Sequence, residues 1–247
     1  MFVSFQDFLL EKVSPEDVQT FYTYHDELNP KLWDPEHNLD PKVANRLKII
    51  ADIFVKFLKI PKSSVTDVIL TGSSVNYNWT SMSDIDLHVI VDMDSLTRDC
   101  PEYVAEYLQA KRKIWNDRHD IKIKGMEVEL YPQDSKEVNV SSGFYSLNKN
   151  EWLKVPKYMK PQVDDFAVKH KVASLMNDID ETLSHGVADD ADLMRNKLAN
   201  MRKSGLSTPE GEFSVENLAF KTLRNNGYIQ KLMDFSEEAL DKKLSMD

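Results

Sequence analysis

Two aspartates, Asp84 and Asp86, are the residues of this sequence best suited to chemistry, and they stand two positions apart in SDIDLHVIV. Because side chains alternate between the faces of a strand, a strand over residues 84–91 places both carboxylates on one face. Two like charges held together repel each other and lose hydration, which favours a cation between them. Oxygen-only ligands suit Mg²⁺ or Mn²⁺ better than zinc. The pair is therefore a candidate metal site.

A third carboxylate is needed if two metal ions are to be held against an attacking hydroxyl group. The segment MEVELY supplies Glu127 and Glu129, which share one face of a predicted strand. Such an acidic pair, like an Asp-x-Asp pair by itself, is also typical of a solvated strand face. Its occurrence downstream of the two aspartates favours a metal site, and the spacing leaves both glutamates as candidates.

A Gly-Ser-Ser step, formed by Gly72, Ser73 and Ser74, ends the short apolar strand that precedes the aspartates. Glycine lets the backbone approach a ligand closely, and successive backbone N–H groups can bind phosphate oxygens. A Gly-Ser step is also common in ordinary turns. In combination with the carboxylates, it indicates a phosphate-binding segment beside a metal site.

Two nearby groups of residues have both a functional and a structural interpretation, and a third has only a structural one. His88 continues the alternation from Asp86, so it either lines the same face or forms an internal hydrogen bond. The aromatic residues of the NYNW segment, 76–79, either stack on a base or pack in the core. The basic run 111–113 is interpreted as surface.

The elements that must position these residues fall into three regions: N-terminal helices over 1–60, an α/β core over 61–160 and a C-terminal helical region over 161–247. Ser14-Pro15 and Asp40-Pro41 each predict a helix start, because a capping residue precedes a first-turn proline. An apolar stripe at helical spacing follows Asp40 and ends near Ile60. The predicted fold class is therefore α+β, with a mixed α/β core.

Within the core, the pattern predicts strands over 65–70 and 84–91, a helix over 101–118, and hairpins over 121–130 and 143–155. In the last region, helical spacing predicts a helix from about Gln162 to Gly186. A second helix is capped by Ser214, and a final one runs from Tyr228 to Leu244.

The composition is that of a soluble globular protein, with 41% hydrophobic and 29% charged residues and a net charge of −10. No apolar run approaches the ~20 residues that span a bilayer, so no membrane partner is expected. The acid excess argues against extensive binding of duplex DNA. The start lacks the features of a signal peptide, and Cys100 is the only cysteine, so a cytoplasmic location is expected.

The ordered set of motifs resembles the DNA polymerase β-like nucleotidyltransferase superfamily, which includes kanamycin nucleotidyltransferase, CCA-adding enzymes and cyclic-dinucleotide synthases. The match rests on Gly72-Ser73, SDIDLHVIV and VELYP. Two later segments, GFYSLNKNEWLKVPK and FSVENLAFKTLRNNGYIQKL, resemble nucleotidyltransferase-like proteins of tailed bacteriophages. The second resemblance implies the host cytoplasm as the location.

The resemblance implies a nucleotidyltransferase-fold mixed sheet flanked by helices, two Mg²⁺ (or Mn²⁺) ions, and transfer of a nucleoside monophosphate from an NTP such as ATP to a hydroxyl acceptor. Asp84 and Asp86 would bind both ions, and Glu129 would bind the ion that activates the acceptor, with Glu127 as the reserve candidate. Gly72, Ser73 and Ser74 would hold the β- and γ-phosphates. The acceptor stays open between a small molecule, an RNA 3′ end and a protein hydroxyl.

Two other functions compete with this interpretation. One is a catalytically degenerate nucleotidyltransferase fold that acts as a nucleotide-sensing or protein-binding module. The other is a structural helical protein in which the α/β segment is incidental. The presence of Asp84, Asp86 and Glu129 together favours the enzyme, because a binding module need not keep three costly carboxylates.

Overall fold

The structure is a computed structural model that describes residues 12–97, 100–137, 141–158 and 161–246. The part of the predicted N-terminal helical region that covers residues 1–11 lies outside the described residues. The chain divides into two compact units. One runs from Thr23 to Lys160, and the other combines the residues up to Tyr22 with those from Pro161 onward.

The described part of the chain contains six strands and six α-helices. The strands are β1 (Val65–Thr71), β2 (Ile85–Val91), β3 (Lys122–Ile123), β4 (Met126–Asp134), β5 (Phe144–Ser146) and β6 (Glu151–Lys154). The helices are α1 (Pro41–Leu58), α2 (Pro101–Arg118), α3 (Asp165–Ser184), α4 (Ala188–Leu206), α5 (Val215–Asn225) and α6 (Tyr228–Leu244). The predicted mixed α/β class is confirmed.

All the strands join one mixed sheet in the order β3-β4-β2-β1-β5-β6. The central strand β1 pairs antiparallel with both β2 and β5, whereas β2 and β4 are parallel. Parallel neighbours cannot be joined by a tight turn, and the long connection between β2 and β4 contains α2. This crossover brings two segments that are about 40 residues apart in the sequence side by side in the sheet.

Strand β2 has one buried face and one polar face. The residues of the buried face are completely buried: Ile85, Leu87, Val89 and Val91. They belong to the same core as α1, the adjoining strands and residues of α2. Because side chains alternate, burial of this face directs Asp86 and His88 to the other one.

Helix α1 begins and ends as its sequence predicts. The side chain of Asp40 accepts a hydrogen bond from the backbone N–H of Lys42, and Pro41 opens the first turn. The helix ends before Lys59, which adopts the left-handed conformation with φ 57°. Its buried stripe is Val43, Leu47, Ile50, Phe54 and Leu58, with the alanines and valine beside it.

Both predicted hairpins are confirmed. Lys124 and Gly125 join β3 to β4 with φ angles of 51° and 81°, which is the geometry of a two-residue hairpin turn with both central residues at positive φ. Ile123 and Met126 are directly opposite across this turn. Strands β5 and β6 also pair antiparallel.

The helix predicted to start at Ser14 is wrong. The structure has only a 3₁₀ turn, Pro15–Asp17, in which Ser14 and Asp17 satisfy each other's backbone and side-chain groups. Val18 then turns extended, with φ −74° and ψ 113°, and buries its side chain. Capping residues can start a helix, but extension needs an apolar face that packs, and of residues 15–22 only Val18 is buried.

Four helices and residues 12–22 make up the second unit as the structure describes it. Asp164 caps α3 by accepting from the N–H of Ala167, and Ser214 caps α5 by accepting from the N–H of Asn217. The predicted helices α3, α5 and α6 are thus confirmed, while α4 was not predicted. Helix α4 buries only Ala191, Leu198 and Gly205, a stripe too narrow and too small to stand out in the sequence.

Among the described residues, no helix has both the length and the hydrophobicity that a transmembrane helix needs.

Candidate active site

Asp86 and Glu129 are register partners on the parallel strands β2 and β4. Residues in register point to the same side of a sheet, so the two carboxylates lie next to each other on its polar face. Asp84 immediately precedes β2 and completes the group. One carboxylate oxygen from each of the three residues lies within 4.8 Å of the other two. The fold therefore brings together two motifs that the sequence separates.

The register also distinguishes the two candidate glutamates. Glu127 pairs across the hairpin with Lys122, and its Oε1 lies 3.6 Å from Lys122 Nζ. Both glutamates are solvent-exposed, but Glu127 is not part of the acidic group with Asp84 and Asp86. Glu129 lies two residues further along β4, opposite Asp86.

Gly72 closes the site on the β1 side. A β-carbon built on Gly72 would lie 1.8 Å from Asp86 Oδ2. With φ 76° and ψ −159°, its backbone occupies a region that is essentially restricted to glycine. The residue is therefore required both by its conformation and by the close approach of the aspartate.

Thr71, the last residue of β1, is the register partner of Asp86 on the other side. It is 4% exposed, and its Oγ1 has no hydrogen-bond partner among the described residues. A buried hydroxyl without a partner costs about 1–3 kcal/mol. A bound ligand or an ordered water beside Asp86 would remove this cost.

The two serines after Gly72 have different surroundings. The hydroxyl of Ser73 is half-buried and lies 2.8 Å from the hydroxyl of Ser83. Ser74 is completely buried, and its hydroxyl donates to the backbone carbonyl of Thr71. The side chain of Ser74 thus stabilises the loop from inside.

His88 lies on the same polar face, two residues beyond Asp86. Its Nδ1 is 2.7 Å from Gln133 Oε1, and its ring stacks on Tyr131 at a centroid distance of 4.9 Å. Burial lowers the pKa of His88, and the positive charge of Arg112 acts in the same direction. The two alternatives predicted for His88 are not exclusive. His88 forms an internal hydrogen bond and also lies on the same face as Asp86.

The aromatic side chains of the NYNW segment pack against other parts of the protein. Tyr77 is buried in the core, and the Trp79 ring stacks on His25 with centroids 3.6 Å apart. The indole N–H of Trp79 donates to the carbonyl of Glu27. The segment is thereby anchored to the chain that precedes α1.

A cavity of ≈ 540 Å³ adjoins the acidic group on the β4 side, and sequence reasoning missed its wall. Asn116 of α2 holds that wall in place, because its side-chain amide both donates to the carbonyl and accepts from the N–H of Leu130. Arg112 and Lys113, interpreted from the sequence as surface, line the cavity. Helical spacing puts Arg112 and Asn116 on one face of α2, which is the signal that could have linked them.

Comparison with known proteins identifies the family. The model of the nucleotidyltransferase domain matches residues 47–170, just over half of the 247 residues. The chain belongs to the nucleotidyltransferase domain family. The matched range contains the acidic group and the Gly72 loop.

Two solved structures share a weak similarity with this chain. The STING-associated CdnE c-di-GMP synthase from Capnocytophaga granulosa is 12% identical, with 83% of this chain and 84% of that chain covered and a TM-score of 0.21. The corresponding enzyme from Flavobacteriaceae sp. is 11% identical, with 94% and 96% covered and a TM-score of 0.21. Similarity at this level carries no argument about substrate. No curated protein matches this chain.

Proposed function

We propose that this protein is a divalent-metal-dependent enzyme that transfers a nucleoside monophosphate from an NTP to a hydroxyl acceptor. The observation that carries the proposal is the convergence of Asp84, Asp86 and Glu129 within 4.8 Å beside Gly72. Family membership supports nucleotidyl transfer as the reaction class. The metal requirement rests on the site itself.

The donor set fits Mg²⁺ or Mn²⁺. All three groups are carboxylates, and hard cations of this kind prefer oxygen ligands. One oxygen from each carboxylate lies within 4.8 Å of the other two, so the three groups would be close enough to bind cations together. The buried Thr71 hydroxyl beside Asp86 offers a further polar group to a metal-bound water or ligand.

The reaction that fits this site is an in-line displacement. The acceptor oxygen attacks the α-phosphorus of the NTP, the bond from that phosphorus to the bridging oxygen breaks, and pyrophosphate leaves. Divalent ions, when bound, would lower the pKa of the acceptor hydroxyl and offset charge on the phosphates. Asp84 and Asp86 would bind both ions, and Glu129 would bind the one on the acceptor side. Backbone groups of Gly72, Ser73 and Ser74 would orient the β- and γ-phosphates.

The competing function is a nucleotide-sensing or protein-binding module built on the same fold. The three carboxylates argue against this function. Their mutual repulsion lowers the stability of the fold, and nucleotide recognition alone does not require all three of them. We also propose that the protein acts in the cytoplasm of a phage-infected bacterium, on the basis of the two later segments that resemble phage proteins.

The test offers each α-labelled NTP with Mg²⁺ or Mn²⁺ to total RNA, lysate protein or metabolite extract. Wild type is compared with the double variant Asp84→Asn/Asp86→Asn and with Asp94→Asn. Asp94 is a matched control because it is exposed and pairs with Lys136 outside the acidic group. We expect transfer by wild type and the control, and none by the double variant.

Two outcomes contradict the proposal. Equal transfer by wild type and the double variant would show that the carboxylates have no catalytic role. Metal-dependent NTP binding by calorimetry, without transfer or pyrophosphate release in any reaction, would support the sensing module instead.

A further inference from the structure

The cavity beside the acidic group has a cationic wall. Asp86 and Glu129 line one side of it, and Arg112 and Lys113 of α2 line another. None of the ion pairs found in the described residues involves Arg112 or Lys113. Both cations thus face the cavity with no carboxylate partner within salt-bridge distance in the described chain.

Arg112 is held by a stacked column of side chains. Its guanidinium carbon lies 4.5 Å from the centroid of the Tyr131 ring, and Tyr131 stacks on His88. The hydrogen bond from His88 to Gln133 fixes the far end of the column. A guanidinium group that contacts an aromatic ring through its face keeps the N–H donors at its edge available for hydrogen bonds. Arg112 is therefore preorganised to bind an anion.

The cavity lies on the opposite side of Asp86 from the Gly72 loop. In the sheet, β2 stands between β1, which ends at the Gly72 loop, and β4, which carries Glu129. The cavity is bounded by β2, β4 and α2. If the NTP phosphates bind at the Gly72 loop, as proposed above, the cavity is on the side from which an acceptor would approach.

We propose that this cavity binds the acceptor, and that the acceptor is a small hydroxyl compound carrying a phosphate group, which Arg112 and Lys113 bind. This inference rests on the proposed function. The acceptor hydroxyl oxygen would form the new bond to the α-phosphorus of the NTP, pyrophosphate would leave with the electron pair of the broken P–O bond, and the hydroxyl proton would be released to water. The acceptor's own phosphate takes no part in bond making.

Size and charge favour such an acceptor over the other classes. A volume of ≈ 540 Å³ is typical of a small-molecule site. Asp117 also lines the cavity and lies one helical turn from Lys113, so it offsets part of the lysine charge. Arg112 therefore provides the main positive charge, and its planar donor groups match phosphate geometry.

The acceptor preference is tested with the full chain and α-labelled NTP. A metabolite extract is offered before and after treatment with a phosphatase that is then removed, and ribose 5-phosphate is compared with ribose. We expect labelled product only with the phosphorylated acceptors. Equal labelling of treated and untreated extract would overturn the proposal.

The residue assignment is tested with Arg112→Gln and the matched control Arg118→Gln. Arg118 is on the same helix and exposed but does not line the cavity. We expect Arg112→Gln to raise the KM for the phosphorylated acceptor about 10-fold or more, as loss of a charge-assisted hydrogen bond would, with metal-dependent NTP binding unchanged. The control should match wild type, and equal behaviour of the two variants would overturn the assignment.

A binding measurement separates this inference from the proposed function. Phosphorus NMR titration of ribose 5-phosphate into wild type and Arg112→Gln, without NTP, reports anion binding in the absence of any transfer. Binding by wild type that Arg112→Gln weakens supports the cavity assignment even if no transfer occurs. Transfer that depends on Asp84 and Asp86, with no ribose 5-phosphate binding and no phosphatase effect, would overturn the inference and leave the proposed function standing.

Discussion

Gly72 and Asp86 approach so closely that a β-carbon on Gly72 would stand 1.8 Å from Asp86 Oδ2 and 2.8 Å from its Cγ. No side chain fits at this position unless the aspartate moves. The loop that ends β1 and the carboxylate on β2 are therefore placed as one unit. Any substitution at Gly72 acts directly on the acidic group.

We expect Gly72→Ala to lower nucleotidyl transfer on the order of 100-fold, because displacing a positioned group by about 1 Å has an effect of this size. Initial rates with α-labelled NTP measure it. Gly125→Ala is the matched control, since Gly125 also has positive φ, at 81°, but has only Lys31 Nζ near, at 3.9 Å. Both variants should lose some stability, but only Gly72→Ala should lose activity. Equal loss of activity in the two would contradict the prediction.

The position of the third carboxylate gives a second pair of variants. We expect Glu129→Gln to reduce transfer at least ~100-fold, because a metal ligand contributes several kcal/mol to transition-state stabilisation. Glu127→Gln should keep nearly the wild-type rate, since Glu127 pairs with Lys122 outside the acidic group. Rates measured across a Mg²⁺ titration distinguish weak metal binding from lost chemistry. A larger effect at Glu127 than at Glu129 would refute the assignment.

We expect the ionisation of Asp40 to make the folding stability of the protein depend on pH. A hydrogen bond from Lys124, together with one from the backbone of Lys42, lowers the pKa of Asp40 below its usual 3.8. The charged carboxylate therefore stabilises the fold above about pH 4, and this contribution is lost as the pH falls through the lowered pKa. We expect Asp40→Asn to be less stable than wild type at pH 7, with a difference that shrinks in acid.

Urea unfolding of the two proteins between pH 7 and pH 2 measures this difference. Asparagine keeps the helix cap, so the change reports the charge rather than the cap. In a Lys124→Met background the effect of Asp40→Asn should be smaller. A difference that stays constant with pH would contradict the prediction.

At Gly205 we expect the usual stabilising effect of a glycine-to-alanine substitution in a helix to be reversed. Replacing glycine by alanine inside a helix normally stabilises by about 1 kcal/mol. Here the new β-carbon would lie 2.6 Å from both Glu216 Cβ and Ser214 Oγ, the cap of α5. We expect Gly205→Ala to destabilise the protein by about 1–3 kcal/mol, the usual range for overpacking. Denaturant unfolding tests this beside Ser204→Ala, an exposed neighbour that should change little.

Local patterns in the sequence were enough for the elements that obey a single strong rule. The Asp40-Pro41 start and the stripe after it predicted α1, and the Lys124-Gly125 turn predicted the β3–β4 hairpin. These succeed because capping, periodicity and turn preference all act between residues close in the chain. At Ser14 the same capping signal failed, since of the apolar residues that follow, Val18, Phe21 and Tyr22, only Val18 is buried and no apolar face packs to extend the helix. Helix α4 was missed for the converse reason, because its buried stripe consists of one leucine between an alanine and a glycine.

The sequence alone was enough to predict that Asp84 and Asp86 share a face, because alternation along a strand is a local property of the backbone. Alternation alone left both Glu127 and Glu129 as candidates, since they too share a face, and the family resemblance favoured Glu129. The tertiary structure separates the two glutamates, through the register that sets Glu129 opposite Asp86 and leaves Glu127 with Lys122. It also forms the cavity wall at Arg112, through the crossover that lays α2 along β4. Register and crossover arise from packing between segments distant in sequence, which no local pattern records.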